Sequence, residues 1–459
     1  MTHLNRFKQK PLSFNFKIVV QKYLATSSFD AYTGNIHSYP AKMFPYIPRF
    51  FYSIPQLCPP GGVILDPLCG SGTVLLQSIV HPIYRRQAYG VEINPLGRLI
   101  AKVKTTPLEE TMLGERIKHL FELVQKSSDE VSIPESERVK PWFSKKAIHE
   151  LGRLKYVIEK EGPEDDYKDF FWVCFSSIVL KVSLADPFIP PPVFLKIDKY
   201  KKSPQKLKFL LKFLKRSENP DTTSLFKDVL QKNSDRIYSL SKIEEVATSK
   251  VKAQIIWDDA RQIRVGKIDR RGALVKNNAK TLPSESIDLI LTSPPYLTAQ
   301  KYVRTQKLEL LWLDMVSEKE LVTLQREIIG SEQISLKEID IAEKVGVKSV
   351  DNLVKWASLR SRERAAMLYK YFSEMGHVME EMYRVLRSGA YAVVVVGNNK
   401  VLGKSIKTYK LLTDVAIHAG FGLELIFKDK IRGRGMITGR HDTGGLINEE
   451  FIIVLKKKK

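Results

Sequence analysis

The chain predicts an α/β protein, a doubly wound and largely parallel sheet whose two halves are separated by a long helical insertion. Two observations carry that expectation. Short apolar runs that end in Gly- or Pro-bearing turns and lead into helical periodicity occur at 63–80 and 88–104, and the apolar runs resume at 253–260 and 287–296. Between these blocks, residues 106–250 show helical periodicity almost alone.

The first 60 residues are rich in aromatics and prolines, as in HSYPAKMFPYIPRFFYSIP (37–55). Proline at that density disfavours a long helix before Phe50, so the segment reads as a structured arm. The turn PPGG (59–62) introduces the strand VIL (63–65), the loop DPLCGSGT (66–73) and the helix TVLLQSIV. A second strand, AYGVEIN (88–94), leads through Pro95 into the helix LGRLIAKVK. The insertion follows, with KKAIHELGRLKYVIEK and DYKDFFWVCFSSIVLKVSL as helices and a proline-rich break at DPFIPPPVF (186–194). Its most basic stretch, 196–216, carries nine Lys and Arg against Asp198 alone.

Strands are then expected at AQIIWDDA (253–260) and IDLILTSPPY (287–296), a long helical stretch over about 308–386, and strands at AYAVVVVGN (390–398) and EEFIIVLKK (449–457). Between the last two lie a helix near 409–419 and the Gly/Arg loop IRGRGMITGRHDTGG (431–445). The division is therefore 1–105, an arm with the first half of the sheet; 106–250, the helical insertion; and 251–459, the second half.

Composition narrows the partners. The 459 residues are 43% hydrophobic and 10% aromatic, enough for a sizeable core. The formal charge of +23 favours a polyanion, nucleic acid before an acidic membrane surface. Three scattered cysteines argue against a disulfide framework or a zinc site. With no signal-type apolar stretch and no run of membrane-spanning length, a cytoplasmic location and no membrane partner are expected.

Two motifs carry chemistry. In DPLCGSGT, glycines between a strand and a helix let the backbone approach a ligand, and the helix start favours anionic groups. The loop lacks the Gly-Lys-Ser/Thr of a phosphate-binding loop. Glu92 falls at the end of the next strand, 26 positions after Asp66, where a carboxylate can take both ribose hydroxyls of a nucleoside. In TSPPY (292–296), two prolines fix the backbone and remove two N–H donors, leaving carbonyls free to accept. Ser293 Oγ and the Pro294 carbonyl can then hold an exocyclic amino group beside the aromatic face of Tyr296. An aminopyrimidine nitrogen is a poor nucleophile, so two aligned acceptors would act by positioning and electrostatics. A tight turn and a strand-ending proline pair are the structural alternatives.

Taken in order, DPLCGSGT, Glu92 and TSPPY resemble the motifs of the amino-methylating DNA methyltransferases, the SPPY-type enzymes that modify cytosine N4 or adenine N6. Leu68 stands where that family usually has Phe. HSYPAKMFP resembles the motif that closes over the methionine end of the cofactor, GVEINPLGRLIAKVKT the second cofactor motif, and WDDA the third. The resemblance implies a Rossmann-like sheet, S-adenosyl-L-methionine as cofactor and no metal. It places Lys42, Phe44, Asp66, Pro67, Cys69, Gly70, Ser71, Gly72, Thr73, Glu92, Ile93, Asn94, Asp259 and Ala260 at the cofactor, with Asp258 the fallback for Asp259. Ser293, Pro294, Pro295 and Tyr296 become the catalytic tetrapeptide, and Ser at its first position favours cytosine N4 over adenine N6.

Double-stranded DNA is the implied substrate, methylated at a specific site by a monomer that flips the base, with a cognate restriction endonuclease as a further partner in a prokaryotic nucleoid. In related enzymes the insertion reads the target. Lys199, Lys201, Lys202 and Lys206, with Tyr200, Phe209 and Phe213 interleaved, are the expected phosphate contacts, joined by Arg432, Arg434 and Arg440 of the Gly/Arg loop. An RNA base-amine methyltransferase and a catalytically silent nucleic-acid-binding protein are the rival readings. His37, His377 and the Trp172 cluster read as structural, Cys69 as no nucleophile, and PEDDYKD (163–169) as a helix start.

Overall fold

The computed structural model describes residues 10–24, 32–127, 130–189, 191–297, 302–334, 343–430 and 448–458. The chain enters through β1 (Leu12–Ser13), α1 (Phe16–Tyr23) and the short α2 (Tyr46–Tyr52). β2 (Val63–Asp66), α3 (Thr73–Ile79), β3 (Gln87–Val91) and α4 (Pro95–Thr105) form the first two strand–helix units. Six helices follow: α5 (Glu110–Lys126), α6 (Lys145–Lys160), α7 (Asp166–Val179), α8 (Pro204–Glu218), α9 (Thr222–Ser241) and α10 (Glu244–Ala247). Asp165 caps α7 by accepting the Lys168 N–H, so the carboxylates of 163–169 do open a helix.

The second half runs through β4 (Ala253–Trp257), the hairpin β5 (Arg264–Ile268) and β6 (Leu274–Thr281), and β7 (Ile287–Thr292). α11 (Tyr302–Thr305), α12 (Lys307–Trp312), α13 (Glu318–Glu327), α14 (Lys348–Ser358) and α15 (Arg362–Val385) lead to β8 (Leu386–Gly397). The ribbon of β9 (Asn399–Val401) and β10 (Lys404–Ile406), then α16 (Thr408–His418), β11 (Gly422–Lys430) and β12 (Glu449–Lys456), close the chain.

Eight strands form one sheet in the order β1-β11-β12-β8-β7-β2-β3-β4. β8, β7, β2, β3 and β4 are parallel, and β12 is antiparallel to β8 and β11. Alternation along the strands gives two apolar faces. Ile64, Leu289, Leu291, Val393 and Val395 pack under α1, α2 and α3. Leu65, Ile290, Val394 and Val396 pack under α14, α15 and α16. Helices therefore cover both faces, and the sheet is a Rossmann-like, doubly wound one.

Residues of α5, α6, α7 and α9 share a third core with α4 and α12. The helical layer is thus continuous with the strand–helix units on either side of it. Trp172, Phe170 and Phe171 are buried there.

Several parts of the architecture differ from the sequence expectation, the β9–β10 ribbon among them. β11 occupies part of the span taken as helix and loop between the last two strands. Its residues GLELIFKDK are mostly half-buried, because only the two-residue β1 covers that edge, so the strand lacks the apolar run that marks β8. The β5–β6 hairpin escaped for a related reason: its residues are exposed and polar, and Gly266 interrupts the alternation. The Gly/Arg loop 431–445, with Arg432, Arg434 and Arg440, lies outside the described residues.

Candidate active site

Sheet order brings the two motifs together. β2 leaves β3 on one side and β7 on the other, so the loops after β2 and β7 leave the same sheet end at the point where strand order reverses. Ile64 and Leu65 pair with Leu289 and Ile290, which carries Asp66 and Thr292 past the strands as neighbours. Thr292 donates its hydroxyl to Asp66 Oδ1 at 2.7 Å, and the Leu68 N–H reaches the same oxygen at 3.2 Å. Asp66 is buried, and burial raises its carboxyl to about 7 against the two hydrogen bonds.

A cleft with a cavity volume of about 90 Å³ opens beside this pair. Its walls include Lys42 from the arm; Asp66, Pro67, Cys69, Gly70, Ser71 and Thr73 from the first motif; and Glu92, Ile93 and Asn94. Asp258, Asp259 and Ala260 form the side after β4, and Ser293 and Pro295 the side after β7. Gly70 and Gly72 take left-handed backbone, with φ of 53° and 76°. Gly72 is not on the cleft wall. A Cβ there would stand 2.9 Å from Ala101 Cβ, so its role is to let the loop close on α4.

Glu92 is held to face the cleft. Its Oε2 accepts the Gly70 N–H at 2.8 Å and its Oε1 the Asn94 N–H at 2.9 Å. Arg98 locks the backbone beneath it, donating to the carbonyls of Glu92, Ile93 and Gly272. Enclosure raises the Glu92 carboxyl from its ordinary value, with the Asn94 N–H, Arg98 and the Gly70 N–H opposing. Asn94 caps α4 through the Leu96 N–H and donates its amide to Gln306 Oε1 at 2.7 Å, so its side chain is already engaged. Asp259 is clamped by Arg261 at 2.9 and 3.1 Å, and Arg261 also binds Glu374. Asp258 pairs with Lys276. Burial pushes the Cys69 thiol well up, which is inconsistent with a thiolate nucleophile.

The tetrapeptide and Leu297 after it are fixed at four points. Ser293 donates its hydroxyl to the Val395 carbonyl at 3.2 Å. The Pro295 carbonyl accepts from Tyr371 at 3.0 Å, and the Leu297 carbonyl from the Asn399 amide. Tyr296 donates its phenol to Glu450 Oε1 at 2.9 Å. Burial raises Glu450 to about 7, opposed by the Tyr296 bond and aided by Asp429. Ser293 thus has its proton committed away from the cleft, and its remaining lone pairs are acceptors.

Several expected residues stand apart from the cleft wall. Pro294 and Tyr296 are not among the residues that line it. Phe44 stacks on Tyr46, with ring centroids 5.3 Å apart, and packs into the core under α1 and α2. In the insertion, Lys199, Lys201, Lys202 and Lys206 are exposed, with Lys201 paired to Asp198. Of the interleaved aromatics, Tyr200 and Phe213 are buried, Tyr200 bonded to Asp186, and only Phe209 is exposed. The aromatic component of that surface is therefore smaller than the sequence suggests, because helical spacing turns Phe213 inward.

Arg98, Arg261, Tyr371 and Glu450 were missed from sequence. Each acts through another residue from a distant position, and only the fold reveals the pairing.

No family model matches the chain. The curated type II methyltransferase M.MvaI of Kocuria varians is 27% identical over 408 residues, 84% of this chain and 80% of its own. The homologues of this chain are type II methyltransferases. M.AvaI of Nostoc sp. is 25% identical over 79% of this chain and 74% of its own. Among solved structures, the rRNA methyltransferase aviRa of Streptomyces viridochromogenes aligns over 92% of this chain and 88% of its own at 9% identity. Its TM-score of 0.28 is too low for a comparison site by site.

Proposed function

We propose that the protein is an S-adenosyl-L-methionine-dependent DNA methyltransferase that modifies an exocyclic base amine, cytosine N4 in the first place. The observation that carries this reading is the Ser293 hydroxyl, whose proton is spent on Val395 and whose lone pairs stand at the edge of a cleft bearing Glu92. The cleft fits the cofactor chemically. Glu92 offers carboxylate oxygens for two ribose hydroxyls, Asp259 is a pinned acceptor for an adenine amine, and Lys42 supplies positive charge near the arm. When bound, S-adenosyl-L-methionine supplies an electrophilic methyl group.

The rest of the work belongs to the chain. Ser293 Oγ and the Pro294 carbonyl accept the two N–H bonds of the target amine, which turns its lone pair toward the cleft. Tyr296, its ring pinned through Glu450, stacks on a base extruded from the duplex at a cost of a few kcal/mol. The exposed lysines of 199–206 meet phosphates. M.MvaI and M.AvaI are type II methyltransferases by name, so a restriction endonuclease acting at the same site accompanies this reading.

The test is mass spectrometry of nucleosides from plasmid DNA incubated with the purified protein and methyl-labelled cofactor. Label in N4-methylcytosine supports the full reading. Label in N6-methyladenine keeps the mechanism and replaces the base. Label in RNA alone overturns the DNA assignment.

A further inference from the structure

Lys104 lies in the last turn of α4, fully buried beneath the first motif. Its ammonium has one hydrogen bond among the described residues, a donation to Ser71 Oγ at 3.2 Å, and no carboxylate among them pairs with it. A buried lysine without a counter-charge is costly, and chains keep one rarely. The surroundings deepen the anomaly. Lys42 from the arm lies close enough to repel it, and His37 is near. His37 donates from Nδ1 to the Ser38 carbonyl, while its buried Nε2 has no partner among the described residues. Cys69, the other titratable group facing Lys104, is a buried thiol with its pKa pushed well up.

The geometry gives this charge an outlet. Gly72 lets α4 approach the loop, so that Ala101 abuts it and Lys104, one turn on, reaches Ser71. Ser71 lines the cleft, as does Lys42. Because Ser71 Oγ accepts from Lys104, the Ser71 proton is free to point into the cleft. Lys42, anchored by the carbonyls of Gly34 and His37, stands on the same side.

We propose that Lys104 is a positioning residue for an anionic ligand group: acting through Ser71 and beside Lys42, it receives the carboxylate of the cofactor's amino-acid end and takes up a proton from the buffer as that carboxylate arrives. The inference rests on the cofactor reading above. Burial and Lys42 push the Lys104 ammonium well down from its ordinary value. An incoming carboxylate supplies the missing counter-charge and restores the charged form. The nucleoside end, held by Glu92, does not need this coupling.

The experiment is titration calorimetry of the full chain in two buffers of different ionisation enthalpy at pH 8, with S-adenosyl-L-methionine and with 5′-methylthioadenosine, which lacks the amino-acid end. Wild type is expected to take up protons with the first ligand and none with the second. Lys104→Met is expected to abolish the uptake and to weaken the carboxylated ligand about tenfold or more, the loss of a charge-assisted hydrogen bond, while methylthioadenosine binds as before. Ser71→Ala, which keeps the lysine, should weaken the carboxylated ligand selectively. Equal weakening of both ligands by either substitution, or no proton uptake by wild type, overturns the role of Lys104. Failure of wild type to bind either ligand overturns the cofactor reading itself.

Discussion

Asp66→Asn separates what this carboxyl does for function from what it does to stability. The side chain is 3% exposed, and its carboxyl titrates at about 7. In the unfolded chain it would titrate near 4. The sign follows from proton counts. Between roughly pH 4 and 7 the folded state keeps a proton that the unfolded state has lost, so stability falls as pH rises through that window and is flat above it. A displacement of about three units at ~1.4 kcal/mol each gives an upper bound of about 4 kcal/mol. The asparagine is isosteric, and its Oδ1 can still accept from Thr292 and from the Leu68 N–H, so little packing is lost. The variant should therefore be less pH-dependent than wild type, and at pH 8 more stable by up to a few kcal/mol. Urea unfolding at pH 5 and pH 8 measures both; the difference between the proteins isolates Asp66 from Glu309 and Glu450, which are also raised by burial. An identical pH slope in the two proteins refutes the argument.

The remaining expectations concern the site and its surface. Ser293→Ala should reduce turnover by about two orders of magnitude or more, as removal of a transition-state hydrogen bond does, with cofactor affinity within a factor of two; single-turnover labelling beside calorimetry reads both. Glu92→Ala should chiefly weaken cofactor binding and also release the Gly70 and Asn94 N–H groups; an unaltered dissociation constant would count against the ribose role. Replacing Lys199, Lys201, Lys202 and Lys206 with Gln should flatten the dependence of log Kd for duplex DNA on log salt by about 0.9 for each phosphate left without its lysine. A slope equal to that of wild type would remove this surface from the interface. Gly72→Ala should destabilise by about 2–4 kcal/mol, from left-handed backbone plus crowding against Ala101, seen as a lower urea midpoint.

Much of the first half was legible because its signals are local. Strand, glycine loop and helix follow one another in 63–80, and Glu92 sits a fixed distance on. The pairing of β2 with β7 is not local, and no signal within either run announces it. What resisted was edge structure and reach. β11 and the β5–β6 hairpin lack a buried run, and helical spacing alone did not tell which of Tyr200, Phe209 and Phe213 faces out.

The anchors of the tetrapeptide show why the acceptor role depends on the whole sheet. A serine hydroxyl is both donor and acceptor, and TSPPY alone leaves open which it will be. The choice is made by β8, whose Val395 carbonyl lies beside the loop because β7 and β8 run parallel in register, Thr292 opposite Val394. The same strand order lets β12 bring Glu450 to Tyr296, and α15 brings Tyr371 to the Pro295 carbonyl. The Pro295 carbonyl thereby accepts from an internal donor, the Tyr371 hydroxyl. Among the described residues no donor reaches the Ser293 oxygen or the Pro294 carbonyl, the pair proposed from the sequence to hold the target amine. The covalent constraint acts on the proline N–H groups, while sheet topology fixes the Ser293 proton and the Pro295 carbonyl.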